Sequence, residues 1–234
     1  MQIEKKDIRA LSKDQLREFF VSNGDKAFRG NQVYEWLWNK GAHNFDDMTN
    51  VAKATRQMLE ENFVINHIRV DQMQKSEDGT VKNAVRLHDG LVVESVLIPT
   101  ETRTTACVSS QVGCSLDCNF CATARLKRMR NLNPDEIYDQ VVAIDNESRL
   151  YHNRPLSNIV FMGMGEPLMN YNNVMKAIDK IVSPEGLGMS PKRITVSTSG
   201  VPKMIKKLAD DEVKFKLAVS LHSAIDEIRS QIMP

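Results

Sequence analysis

All four cysteines of this chain fall within fifteen residues, CVSSQVGCSLDCNFC, from Cys107 to Cys121. Cys114, Cys118 and Cys121 are spaced CxxxCxxC on one short loop, and Cys107 lies seven residues upstream, on or near a strand. Three thiolates so close in sequence can hold three corners of a [4Fe-4S] cubane, because thiolate is the soft donor that iron-sulfur clusters use. The fourth iron then stays open to an external chelating ligand. The same thiols also suit zinc, with Cys107 as a fourth ligand, although zinc sites usually pair two knuckles at a distance and this spacing has one.

Three further short motifs could carry chemistry: GMGEP at 163–167, STSG at 197–200 and SLHS at 220–223. Taken singly each has a plain reading, as a turn, a helix cap and a strand-end histidine. Taken together they share a position, since each follows or ends a strand-like segment that precedes a helix. In parallel βα folds the loops at the C-terminal ends of the strands converge on one site. The joint expectation is one pocket behind the cysteine loop, with glycines allowing close backbone approach and Glu166 and His222 as polar anchors.

The elements that must position these motifs are legible in outline. TTACVSS, NIVFM, RITVS and KLAVS read as strands, and each is followed by a helical segment. The first of these helices is opened by Asn133, Pro134, Asp135 and Glu136, a cap, a first-turn proline and acids that suit the helix dipole. Four βα units in succession imply a parallel sheet. Upstream, IRVDQMQKS, VKNAVRL and LVVESVLI form a meander with turns at Asp78-Gly79 and Asp89-Gly90. In its last strand Val92, Glu94 and Val96 share a face, so Glu94 sits among valines. The first sixty-odd residues read as helices, one of them opened by a capping box from Ser12 to Gln15. The expected organisation is a helical domain at 1–66, a β-meander linker at 67–100 and an α/β core at 101–234. The apolar last strand, LAVS, would leave a parallel edge unpaired, which points to a fragment of a longer fold.

Composition bounds the rest. The 234 residues are 41% hydrophobic and 26% charged, with a net charge of +1, so attraction to nucleic acid must come from local patches rather than from the whole molecule. One such patch is RLKRMR, 125–130; it reads equally as a solvated face or as a contact to RNA phosphates. The charged N-terminus and the absence of a long apolar run favour a cytoplasmic protein, where clustered cysteines are metal ligands or reactive thiols rather than disulfides.

VSSQVGCSLDCNFCATA, FMGMGEPLMN, ITVSTSGV and AVSLHS, in this order, resemble the radical S-adenosylmethionine RNA methyltransferases of the RlmN and Cfr family. The resemblance extends to QVYEWLW in the helical segment. It implies a partial (βα) radical-SAM barrel with four βα units present and the remainder missing, a [4Fe-4S] cluster and S-adenosylmethionine as cofactors, and methylation of an adenine ring carbon in 23S rRNA and some transfer RNAs. It implies that Cys114, Cys118 and Cys121 hold the cluster, that Gly165 and Glu166 meet the amino end of S-adenosylmethionine, and that Ser197, Ser220, Leu221 and His222 complete that site. Glu94 resembles a glutamate that approaches the target adenine; otherwise it is a rim charge on an edge strand. Cys107 resembles one of two mechanistic cysteines; otherwise it is a buried, inert thiol. In the family the other cysteine carries the methyl group, and Cys107 would release the product by forming a disulfide with it. That carrier should lie beyond position 234, so this chain alone is expected not to complete methylation. The implied partners are the RNA substrates and an electron donor such as flavodoxin or ferredoxin, with no membrane and a monomeric enzyme. Carbon 2 of adenine is the expected target, carbon 8 the alternative, and a zinc-bearing RNA-binding module the remaining reading.

Overall fold

The computed structural model of the protein describes residues 5–233; Met1–Glu4 of the charged N-terminus and Pro234 lie outside the described residues. The chain divides into two compact units, one running to His67 and including Ser183–Gly188, the other formed by Ile68–Val182 and the residues from Met189 onward.

The first unit is helical. A two-residue strand β1 (Lys6–Asp7) precedes α1 (Lys13–Ser22), α2 (Phe28–Trp38) and α3 (Lys53–Asn62), after which β2 (Phe63–Val64) returns to pair parallel with β1. The Ser12–Gln15 capping box forms in both directions, Gln15 N–H donating to Ser12 Oγ at 3.1 Å and Ser12 N–H to Gln15 Oε1 at 2.9 Å. Ile8, Leu16, Phe20, Val33, Leu37, Met48 and Leu59 make its core. Trp38 is buried with them, while Trp36 turns its indole N–H to Asn50 Oδ1.

The second unit is a seven-stranded mixed sheet. Its strands are β3 (Arg69–Lys75), β4 (Val81–Arg86), β5 (Val92–Pro99) and β6 (Thr104–Cys107), then, after a short ribbon of β7 (Gln111–Val112) with β8 (Arg130–Asn131) and the helix α4 (Pro134–His152), β9 (Asn158–Phe161). Helix α5 (Tyr171–Val182), β10 (Ile194–Thr198), α6 (Pro202–Asp210), β11 (Lys216–Val219) and α7 (Asp226–Ile232) follow. The order across the sheet is β11-β10-β9-β6-β5-β4-β3. β6, β9, β10 and β11 are parallel, as four consecutive βα units require.

The meander does not stand apart as a linker. β5 hydrogen-bonds antiparallel to β6, so β3, β4 and β5 extend the parallel sheet on one side. β11 forms the opposite edge, with Val219 51% exposed.

The two faces of the sheet differ in burial. Val81, Val85, Val93, Leu97, Ala106, Ile159, Phe161, Ile194 and Val196 are buried, together with apolar residues of α4 and α5 such as Val141, Ile144 and Val174. Alternation puts Lys82, Glu94, Val96, Cys107, Val160, Thr195 and Ser197 on the other face, where all are partly or fully exposed. No helix among the described residues is long and apolar enough to cross a membrane.

Candidate functional site

The cysteine loop leaves the C-terminal end of β6 and is clamped at its base by the β7–β8 ribbon. Met129 N–H donates to Val112 C=O at 2.9 Å, and Cys114 pairs with Lys127 across the ribbon. Gly113 makes this clamp possible. Its φ is +73°, and a Cβ there would lie 2.4 Å from the Lys127 carbonyl oxygen, so no other residue fits without moving the strand that follows the loop. Within the loop Cys121 N–H donates to Cys118 C=O at 3.0 Å, and Leu116 N–H points at Cys114 Sγ at 3.5 Å.

All four thiols are free and none is fully buried. Burial pushes the Cys118 thiol above its ordinary range, and the neighbouring Cys121 and Cys114 thiols and the Glu166 carboxylate push it the same way. The three loop cysteines and Glu166 therefore share one electrostatic environment, in which accumulating negative charge is unfavourable until a metal group neutralises it. Among the described residues no three His, Cys, Asp or Glu side chains form a compact metal-ion site. The donor set nonetheless fits a cluster, which takes one thiolate on each ligated iron.

The loop after β9 packs directly beneath. Gly163 N–H donates to Val108 C=O at 3.1 Å, and Met164 C=O accepts from Ser110 N–H at 2.9 Å. Gly165 has φ +94°, and a Cβ on it would meet the Gln111 side chain at 2.5 Å. Glu166 is 4% exposed and is engaged at three points. Its N–H donates to Gln111 Oε1 at 2.9 Å, its Oε1 accepts from Leu168 N–H at 3.0 Å, and its Oε2 accepts from Ser199 N–H at 2.8 Å. The carboxylate thus ties GMGEP to STSG through backbone amides. Ser197, in the same strand end, donates its hydroxyl to Phe161 C=O at 2.6 Å.

SLHS joins the cysteine loop through a ring contact. His222 has φ +56° and is exposed, and its ring lies 4.2 Å from that of Phe120, the residue before the last cysteine. Asn119 N–H also donates to Ile232 C=O at 2.9 Å, so α7 holds the tip of the same loop. Ser220 N–H donates to Thr198 C=O at 2.9 Å, and Leu221 is exposed beside it. The four motifs read from the sequence therefore meet at one end of the sheet.

Glu94 and Cys107 lie on the open face, Cys107 at the last position of β6, from which the cysteine loop departs. Cys107 stands opposite Val96, two residues from Glu94, so thiol and carboxylate share the face. Burial raises the Cys107 thiol above its ordinary range, partly offset by the Met162 N–H. The half-exposed Glu94 carboxylate is held by Lys82 Nζ at 2.6 Å. Three contributors lie within the quoted VSSQVG and FMGMGEPLMN segments but were not singled out there. Ser109 Oγ donates to Glu94 C=O at 2.5 Å and accepts from Met164 N–H at 2.9 Å; Gln111 holds Glu166; and Asn170 Nδ2 donates to Ser110 C=O and Leu132 C=O, both at 2.8 Å. A buried Ser-Ser-Gln run straight after a strand is the pattern that could have flagged the first two.

Comparison with known proteins shows the family of the chain. Residues 6–65 match the model of the ribosomal RNA large subunit methyltransferase N-terminal domain, and residues 108–234 match that of the radical SAM superfamily. The chain is 87% identical over its whole length to a probable dual-specificity RNA methyltransferase RlmN of Flavobacterium johnsoniae, of which it covers 67%. It is 45% identical to the dual-specificity RNA methyltransferase RlmN of Geotalea uraniireducens, over 99% of this chain and 66% of that protein. The crystal structure of a radical SAM methyltransferase from Sphaerobacter thermophilus superposes with a TM-score of 0.88 at 37% identity, covering 98% of this chain and 67% of that one. The chain thus spans about two thirds of the length of these relatives.

Proposed function

The chain belongs to the RlmN family of radical SAM RNA methyltransferases, and from that premise we propose that it carries the radical-generating part of an enzyme that methylates carbon 2 of an adenine in 23S rRNA and in some transfer RNAs. The observation that carries this reading is the convergence of the CxxxCxxC loop with GMGEP, STSG and SLHS at one end of a sheet whose open face bears Glu94 and Cys107.

In this reading Cys114, Cys118 and Cys121 hold a [4Fe-4S] cluster. When bound, the cluster supplies an electron to the sulfonium of S-adenosylmethionine. The chain's own residues then bind and orient. The backbone around Gly165 and Glu166 offers close approach to the amino end of S-adenosylmethionine, and Ser197, Ser220, Leu221 and His222 line the remainder. Glu94 presents a carboxylate to the target adenine from the open face. Cys107, whose thiol burial pushes upward, would release product by thiolate exchange once it has given up its proton. With three cysteines assigned to the cluster and Cys107 to release, none of the chain's four is left to carry the methyl group. The reading further takes an electron donor such as flavodoxin or ferredoxin as partner, and the cytoplasm as location.

The test is anaerobic reconstitution with iron and sulfide, followed by reductant and S-adenosylmethionine. The expected result is iron and sulfide retained by the three-cysteine loop and 5′-deoxyadenosine produced, with no methyl incorporated into RNA by these 234 residues alone. Stoichiometric zinc in place of iron refutes the cluster. Methyl transfer by this chain alone refutes the assignment of the four thiols. In an active relative, mass spectrometry of the modified adenine separates carbon 2 from carbon 8.

A further inference from the structure

The segment that closes the cysteine loop is cationic. Arg125, Lys127, Arg128 and Arg130 follow Cys121 within nine residues, but the structure separates them into two kinds. Arg130 is an anchor. Its guanidinium forks onto Glu136 at 2.7 and 2.8 Å and its Nε reaches Asp89 at 2.6 Å, so its charge is balanced twice over at the base of the ribbon. These contacts hold its pKa above the ordinary arginine value, the Glu136 bonds being the largest cause. Arg125, Lys127 and Arg128 are the opposite. All three are exposed, and among the described residues none has a hydrogen-bond or carboxylate partner. The loop's own acid, Asp117, is also exposed and pairs with none of them.

Some surface cations elsewhere on this unit pair with neighbouring acids, as Lys82 does with Glu94, Arg149 with Asp145 and Lys207 with Asp211. Three adjacent unpaired cations on a chain of net charge +1 make a local positive potential that the whole molecule does not have. Leu126 and Met129, interleaved with them, are 52% and 60% exposed, so apolar side chains stand among the cations. Pinned by Arg130 and by the Val112–Met129 bond, the ribbon holds these side chains beside the Cys114 backbone.

Resting on the RNA-methyltransferase reading above, we propose that Arg125, Lys127 and Arg128 form a phosphate-binding grip for substrate RNA at the rim of the cysteine loop. Contacts of this kind position the nucleic acid and carry no base specificity.

The experiment compares the protein with an R125Q/K127Q/R128Q variant in binding fluorescein-labelled transfer RNA between about 50 and 200 mM KCl. Each lost phosphate contact lowers the slope of log affinity against log salt by about 0.7, so the slope should fall by about 2 and affinity at about 50 mM salt by on the order of a hundredfold. Because these side chains are exposed and make no hydrogen bond or ion pair, circular dichroism and melting should not change. An R125K/R128K variant, which keeps the charge, should bind as the parent does. Equal slopes for the parent and the triple variant overturn the proposal. So does a triple variant that binds RNA normally but slows cluster reduction by an acidic flavodoxin, which would assign the surface to a protein partner. A parent with no salt-dependent RNA binding would instead sink the RNA-methyltransferase reading, and this grip with it.

Discussion

Replacing Glu166 by glutamine tests whether that carboxylate is a structural clasp or a spare ligand group. In the structure both oxygens are occupied by backbone amides, Leu168 N–H at 3.0 Å and Ser199 N–H at 2.8 Å, and the residue is 4% exposed. An amide offers one acceptor oxygen and turns an NH2 donor toward the other N–H. One amide donor then loses its partner, at about 1–3 kcal/mol, and the surviving bond loses its charge assistance, at about 1 kcal/mol. Ser199 is only partly buried, so the lower half of that range applies, about 2–3 kcal/mol. For a unit of this size that is a fall in Tm of roughly 4–12 °C. The assay is thermal unfolding of E166Q beside the parent, with S-adenosylmethionine binding measured on both after reconstitution. If E166Q melts within about 1 °C of the parent, the clasp argument is wrong. Loss of binding at unchanged Tm would assign the carboxylate to the cosubstrate instead.

G113A should lower stability by about 1–3 kcal/mol through its left-handed backbone and force the ribbon apart where a Cβ would sit 2.4 Å from Lys127 C=O. Since Cys114 is the next residue, iron retained per chain after reconstitution should fall with it, and full iron loading would contradict this. Cys107 should react with iodoacetamide only at higher pH than the same thiol in the unfolded chain, because alkylation follows the thiolate and burial raises this thiol. The sign follows for stability: a raised thiol favours the native state below the unfolded pKa, and that contribution is lost as pH climbs through the native one. Site-resolved mass spectrometry of alkylated protein across pH checks it, and coincident native and unfolded profiles would refute it.

Much of the fold could be read locally because its signals are local. The boxes at Ser12–Gln15 and Asn133–Glu136 need only four residues, and Asp78-Gly79 and Asp89-Gly90 need only a glycine at positive φ. The convergence of the four motifs also followed from a short-range fact, that each sits where a parallel strand ends. What escaped is long-range. That β5 lies antiparallel beside β6, turning an expected linker into part of the sheet, depends on a register between segments that no local pattern encodes. The Lys82–Glu94 pair is set by the diagonal offset of β4 against β5.

The same distinction explains how the site is held. Ser109 links the Glu94 carbonyl to Met164 N–H; Gln111 takes Glu166 N–H; Glu166 takes Ser199 N–H; and Ser199 C=O accepts from Arg229 Nη2 at 2.5 Å. One series of bonds thus runs from β5 through the loops after β6, β9 and β10 to α7, with a side chain joining each step to a neighbouring backbone. Glycines at 163 and 165 are what let those backbones approach, since a Cβ at either would fall under 3 Å from Ser109 or Gln111. Loops fixed to one another in this way keep their ligand-facing groups in place before any ligand arrives, and binding then costs less ordering entropy. The motif residues are therefore of two kinds: those whose polar atoms are spent on the neighbouring loop, such as Glu166 and Ser197, and those left facing outward, such as the three thiols and His222. The second kind is where a ligand can be met by a side chain, and the first is why it meets them in register.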